Sequence, residues 1–544
     1  MSVVQSLSSL RSPPRPAVRS RPDSPLGPAD RVPAKTWLAV AGACLGAFMA
    51  ILNIQIVGSS LGDIQGAIGA GSDDGAWITT SYLIAEIVVI PVSGWLAQVF
   101  SLRSYLIVNS ILFTLLTASC AFAQNLGQMI VLRALQGAAG GVLIPLAFTI
   151  ILTMLPPSRH ALGIAIYSLS AVFAPSIGPA LGGYCSETFG WQSMFFITIP
   201  PGVIMVAMMW LSLERTPRQL QLLREGDWAG VATMAIGLGT LETVLEEGNK
   251  NDWFGSRFIL YLSVVSFASL LAFVVIQLRR RNPLLNLRLL GRRNFGLGSI
   301  ANFVFGFSIY GWIYTVPAYL GQVQGYSAKQ IGEVMIWLGL PQLALIPVLP
   351  MVMKRIDPRL LAGFGFALFA LGTWQAAALH ADFSGPQFLL SNLLRALGQV
   401  MVMTPLSAIA IAGIETDNAG SASALFNMMR NLGGAIGIAV LQTVLTKREQ
   451  FHSWVSTEHV SLLGEATRIR IDTLTQYFMV HGTADPSLAR HEAIVAVGRT
   501  IRHQSFIQAF GDIVVVQSGA LILALVILVF LKNHGAANRA SKSH

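Results

Sequence analysis

Apolar runs of about 20 residues recur along this chain from Trp37 to Leu531, separated by short polar breaks. As a helix, each run is long enough to cross a hydrocarbon layer of about 30 Å. Fourteen are read, centred near residues 47, 86, 113, 139, 171, 204, 237, 267, 307, 340, 370, 398, 432 and 520. The one near 237 is only moderately apolar. The pattern predicts an all-α, polytopic membrane protein whose environment is the lipid bilayer. Composition agrees: the 544 residues are 53% hydrophobic and 11% charged, with a mean hydropathy of +0.61. Soluble domains carry about twice that charge fraction.

The first 35 residues break the pattern. They are rich in Pro, Ser and Arg, lack helical periodicity, and read as a disordered basic tail. No apolar core and cleavage site of a secretory signal precedes Trp37, so the first span is expected to be retained. Arg11, Arg15, Arg19, Arg21, Arg31 and Lys35 are expected to hold this end in the cytoplasm. The loops agree with that orientation. Arg103, Arg159, Arg215, Arg218, Arg224, Arg279 to Arg281, Arg288, Arg292, Arg293, Lys354, Arg355 and Arg359 fall on the same side. The opposite loops are nearly free of Lys and Arg, and the first is acidic (Asp63, Asp73, Asp74). Fourteen spans put both termini in the cytoplasm. The net charge of +10 then reports membrane orientation, and nucleic acid is not an expected partner. Cys44, Cys120 and Cys185 show no paired spacing, so neither a disulfide framework nor a metal site is indicated.

The fourth run contains Leu132 to Gly137 (LRALQG) with Pro145 beyond it; the twelfth contains Leu394 to Gln399 (LRALGQ) with Pro405 beyond it. The following run is Gly-rich in both cases. Matching features at matching ordinal positions suggest two six-helix halves with two helices inserted between them, as transporters built from repeats have. The chain therefore divides into a tail (1–35), a first half (36–214), the inserted pair (215–282), a second half (283–531) containing an outer loop (446–508), and a second tail (532–544). That outer loop shows helical patterning around Leu462–Phe478 and Leu488–Phe506, read as two short helices over the outer face.

One run is weakened in its middle: residues 174–183 read APSIGPALGG, with Pro175 and Pro179 removing backbone donors and Gly178, Gly182 and Gly183 removing side chains. This stretch resembles the antiporter signature of the major facilitator superfamily; a small-residue packing seam is the competing reading. With WITTSY at Trp77, Gly94 to Ala97, LRALQG, WQSMFFITIP at Trp191 and Gly420 to Gly437, the ordered set resembles the fourteen-span drug:proton antiporters of the EmrB/QacA type. The EmrB-like proteins of Gram-negative bacteria fit best, because of the long outer loop. The resemblance implies the major facilitator fold and a proton-coupled exporter of small amphiphilic compounds in the inner membrane. It also implies a periplasmic membrane-fusion adaptor and an outer-membrane channel as partners.

Charges inside the apolar runs need a reason, since each costs about 2.5–3.5 kcal/mol at mid-helix on insertion scales. Arg133 matches the arginine that aids proton transfer in the family; a structural Arg bonded to neighbouring carbonyls is the alternative. The acidic residue usual in span 1 is here Asn53, which cannot carry a proton. Glu86, one helix away, is the candidate replacement, and its protonation would respond to cavity opening and to Arg133; a structural partner of an Arg is the alternative. Arg395, Arg430 and Glu333 are candidates for a second-half cavity. Arg395 as the repeat counterpart of Arg133 has a structural alternative, and Arg430 a choice between substrate anions and a buried carbonyl. Glu333 has the alternative of facing periplasmic water. Glu242, Glu246 and Glu247, on the inserted pair, are placed outside the transport path. In the loop resembling the family's gating loop, Gly94 and Arg103 remain, but the usual Asp is Gln98 and the usual Gly is Ser101. No phosphate loop, His-Glu-x-x-His or Cys/His metal spacing occurs, so no enzyme, cofactor or metal is expected. A symporter of a small solute, or an exporter dedicated to one metabolite or fatty acid, is the alternative function.

Overall fold

The computed structural model describes residues 32–531, except 281–282, 381, 416–417, 459, 461–463 and 483–484. The expected tails therefore lie almost entirely outside the described residues. Within them every long element is a helix and no strand occurs.

Twelve helical segments are long and apolar enough to span a membrane. They are α1 (Ala34–Ser59), α2 (Trp77–Phe100), α3 (Leu102–Cys120), α4 (Leu126–Met154), α5 (Pro157–Phe189), α6 (Ser193–Ser212), α7 (Trp228–Glu247) and α8 (Arg257–Arg279), then α9 (Arg293–Gln322), α12 (Gly385–Ile411), α13 (Ala419–Glu458) and α14 (Pro486–Val529). Two further helices, α10 (Ala328–Leu345) and α11 (Pro358–Gln375), stand where the tenth and eleventh apolar runs were read. Each has 18 residues, or about 27 Å at 1.5 Å per residue. The tenth run is divided: Pro341, Pro347 and Pro350 interrupt its hydrogen bonding, and a separate short helix, Leu349–Met353, follows.

The packing repeats itself. α1 packs on α4, α5 and α6, and α9 packs on α12, α13 and α14; α3 lies on α4 and α6 as α11 lies on α12 and α14. The two groups meet along two seams, α2 against α13 and α5 against α10. Single buried arginines occupy equivalent places in the groups. Arg133 donates to Gln136, which in turn bonds Thr117 on α3 (2.6 Å), while Arg395 donates directly to Thr373 on α11.

The hydrogen bonding of α5 changes where its sequence dictates. A π-helical turn, Leu169–Phe173, precedes Pro175, where the missing N–H already breaks the regular ladder. The glycines that follow are sites of close approach. Gly178 faces Gln55 of α1, Gly182 faces Ile56 and Ser59, and Gly183 faces the backbone at Ala328, where α10 begins. A side chain at any of the three would collide with a neighbour.

The inserted pair is not detached. Asp227 caps α7 and accepts hydrogen bonds from Gln277 (2.7 Å) and Arg280 (3.0 Å) of α8 and its end. α7 packs on α2 and also on α13. Beyond its far end, Asn249 bonds Thr446 (3.1 Å) and Trp253 bonds Thr443 (3.0 Å), both on α13. The pair thus covers the α2/α13 seam.

The outer loop differs from its reading. The first expected helix is present as Glu465–Val480, but α13 continues unbroken for 40 residues and α14 for 44, so the second expected helix is the first half of α14. At about 60 and 66 Å they are far longer than a bilayer core. No proline interrupts either between Ala419 and Glu458 or after Pro486, so nothing ends them at the membrane surface. The shorter helix Glu465–Val480 packs on α14. Asp512 on α14 accepts from Arg448 (2.5 Å) and His452 (2.8 Å) on α13, and Arg502 pairs with Glu449 (3.4 Å).

Candidate functional site

Glu86 is delivered to the interior by α2. It is almost completely buried, and Gly141 lets α4 pack against its backbone. Glu86 lines a cavity of about 80 Å³ with Gln55 (α1), Glu242 and Glu246 (α7), Tyr310 (α9) and Asn431 (α13), among apolar walls that include Ile54, Leu83 and Ile438. Asn431 approaches Glu86 at 3.5 Å across the α2/α13 seam. No salt bridge to Glu86 or Glu242 forms among the described residues. The cavity continues into a wider vestibule of about 440 Å³ at the end of the bundle where α1 finishes, lined by Gly58, Ser59, Pro179, Lys250, Tyr314 and Gln442 among others.

At the other end the two groups of helices are closed on each other. Ser423 on α13 donates to the Pro145 carbonyl on α4 (2.6 Å), Tyr167 on α5 to Asn427 on α13 (2.5 Å), and Ser168 bonds Thr404 on α12 (2.8 Å). Phe148 stacks on Phe426 beside them. The cavity therefore opens in one direction only.

The remaining candidates sort by distance from this space. Arg133 lies behind the wall: it donates to Asn53 Oδ1 (2.6 Å), Gln136 Oε1 (2.7 Å) and the Ile78 carbonyl (3.1 Å), and stacks on Tyr82. Asn53 is fully buried as its partner, and neither lines the cavity. Arg395 sits between Trp312 and Phe369, bonded to Thr373 and the Ser308 carbonyl, also away from the cavity. Arg430 is buried on α13 among Tyr167, Tyr310 and Glu86, so the cation within electrostatic reach of Glu86 from the other group of helices is Arg430. Glu333 is exposed on α10 and lines neither space. Of the residues 174–183, Pro179 reaches the vestibule, Pro175 follows the π-helical turn, and the three glycines serve the packing.

The gating-loop residues lie at the closed end. Gly94 faces Gly420 of α13 at backbone distance, and Gln98 lines a separate hollow with Asn286 and Asn418. Arg103 is held within the first group by the Trp210 carbonyl (3.0 Å). Ser101, in place of the usual Gly, adopts φ +74°, a conformation that favours glycine, and is anchored by its hydroxyl to Thr216 (2.6 Å).

Glu242 and Glu246, expected away from the other candidates, line the same cavity as Glu86. Their spacing of four on an apolar helix put them on one face, but nothing in the order of elements told which seam that face would meet. Tyr310 and Asn431 carry no sequence signal that would single them out.

A buried carboxylate cavity between two groups of helices packed alike, open at one end and sealed at the other, is the architecture of an alternating-access carrier. The family comparison agrees. Residues 43–438 match the model of the Major Facilitator Superfamily, and the chain belongs to that superfamily: it is a multi-pass membrane transporter and not an enzyme. Among its relatives is the Colistin resistance protein EmrB of Acinetobacter baumannii, 30% identical over 514 residues, covering 92% of this chain and 97% of that protein. The Multidrug export protein EmrB of Escherichia coli is 28% identical over 494 residues (90% and 94% covered). The Fatty acid resistance protein FarB of Neisseria gonorrhoeae is 29% identical over 489 residues (90% and 94%). The human organic anion transporter MFSD10 shares the fold with a TM-score of 0.57 at 14% identity, covering 91% of this chain and 99% of that one. The proton:xylose symporter XylE does so with a TM-score of 0.53 at 14% identity (89% and 94%).

Proposed function

We propose that this chain is a fourteen-span proton-coupled antiporter that exports small amphiphilic compounds across an inner membrane, with both termini cytoplasmic. The names of the EmrB relatives support export, and the packing supports two six-helix halves (36–214 and 283–531) rocking about the α2/α13 and α5/α10 seams. α10 and α11 bring the spans to fourteen. The extended α13 and α14 offer the surface to which a periplasmic adaptor would bind, with an outer-membrane channel beyond.

One observation carries the coupling: Glu86 is a buried carboxylate without a salt bridge, facing the cavity from one half and met by Asn431 from the other. An ionised carboxylate there is costly unless a proton or a ligand group compensates it, so proton and substrate would compete for it. Reciprocity between the two then follows from linkage. The groups facing Glu86 are Tyr82 on its own helix, Arg133 on α4, Glu242 on α7, Tyr310 on α9 and Arg430 and Asn431 on α13.

The test is substrate-induced collapse of an imposed pH gradient in inverted membrane vesicles, with cationic, neutral and acidic amphiphiles. Wild type is expected to release protons with substrate and Glu86→Gln is not. Gradient-driven export that persists in Glu86→Gln would place the coupling elsewhere, and uptake with the gradient would make the chain a symporter.

A further inference from the structure

We propose that the inserted helix α7 is part of the transport site, and that Glu242 and Glu246, facing Glu86 across the cavity, form a binding site for an amphiphilic cation. This rests on the transporter reading and names the charge class of its substrate.

α7 is absent from the repeated packing, yet it is the element that closes the α2/α13 seam, and it turns two carboxylates inward. Glu242 is 3% exposed, and its Oε2 has no hydrogen-bond partner among the described residues. A buried carboxylate oxygen left in that state is rare in proteins and needs a proton or a cation to satisfy it. Glu242 lies within electrostatic reach of both Glu246 and Glu86. The inner cavity has no Lys or Arg in its lining, and Arg430 lies beside it among Tyr167, Tyr310 and Glu86. Lys250, one turn beyond Glu246, is engaged with Glu247 (3.3 Å). The walls are Ile54, Leu83 and Ile438, and the ring of Tyr310 completes them.

Three acids in an apolar chamber with one aromatic face suit a delocalised or quaternary cation. Charge is met by the carboxylates and the ring, and the hydrophobic body by the aliphatic side chains. An anionic amphiphile would meet repulsion from all three acids. Lowering the pH would neutralise the acids and release the cation, which is the direction antiport requires.

The experiment is equilibrium binding of tetraphenylphosphonium, and separately of laurate, to the purified full-length protein in nanodiscs. Wild type is expected to bind the cation in preference to laurate and to lose it as pH falls. Glu242→Gln/Glu246→Gln should weaken cation binding by about tenfold or more. Glu242→Asp should retain most of it, and Glu247→Gln should match wild type. Wild-type affinity in the Glu242→Gln/Glu246→Gln protein, or preference of wild type for laurate, would overturn the proposal and leave the exporter reading standing. Loss of cation binding in that protein, with coupling unaffected by Glu86→Gln, would uphold the cation site and overturn the coupling role of Glu86. Binding of neither probe by wild type counts against both readings.

Discussion

Asn53 and Glu86 stand on adjacent helices, but they belong to different spaces. Asn53 is locked in a polar knot with Arg133, Gln136 and Thr117, behind the cavity wall. Glu86 reaches the cavity itself. An acid restored at span 1 would therefore meet Arg133 at about the 2.6 Å that Asn53 now keeps, and form a closed ion pair. In a Glu86→Gln background, Asn53→Asp is expected to leave transport uncoupled from the pH gradient; recovered proton release in vesicles would move the coupling site behind the wall. At this scale the sequence was informative where membrane cost did the work. Glu86, Arg133, Arg395 and Arg430 are conspicuous because charge is expensive in an apolar run. Which arginine serves which acid was not legible, because that depends on how α13 of one group lies against α2 of the other. The cavity that Glu242 and Glu246 line was not legible for the same reason: their helix was known, but not its neighbour.

At the level of elements, the proline and glycine pattern of α5 translates directly into shape. The interrupted hydrogen bonding and the close contacts with α1 follow from missing donors and missing side chains, which the residues themselves announce. The partner across Gly183 was not: the start of α10 comes from the distant half of the chain. A Cβ at Gly183 would fall 2.8 Å from the Lys329 backbone nitrogen and closer still to Ala328. Gly183→Ala should therefore destabilise the α5/α10 seam by about 1–3 kcal/mol, the usual cost of forcing atoms into a packed interface. Gly62→Ala, where a Cβ meets nothing within 4 Å, is the control. Thermal unfolding in detergent distinguishes them. The length of α13 and α14 is not legible in the hydropathy, because a helix leaving the membrane keeps its hydrogen bonds while its hydropathy falls.

For the whole molecule, the sealed end is held by a few polar contacts around one aromatic stack, while the opposite end is open. Such an arrangement is biased rather than locked: neutral hydrogen bonds contribute about 0.5–1.5 kcal/mol each. Removing two of them, with Tyr167→Phe and Ser423→Ala, should shift the population of the two conformations by roughly five- to 150-fold. Spin labels at Thr153 and Gly413, which border a hollow at that end, should then report a longer-distance component in double electron–electron resonance; an unchanged distribution would mean that the stack, and not the hydrogen bonds, holds the end shut.

The docking of α7 along α2 and α13 has one more consequence. A compound dissolved in the bilayer and drifting toward the cavity from that flank meets the outer surface of a helix, tied down beyond its far end by Asn249 and Trp253. On the opposite flank α5 and α10 touch at Gly183. The α2/α13 seam beside Glu86 is thus shuttered by α7, and the carrier has a front and a back as seen from within the membrane.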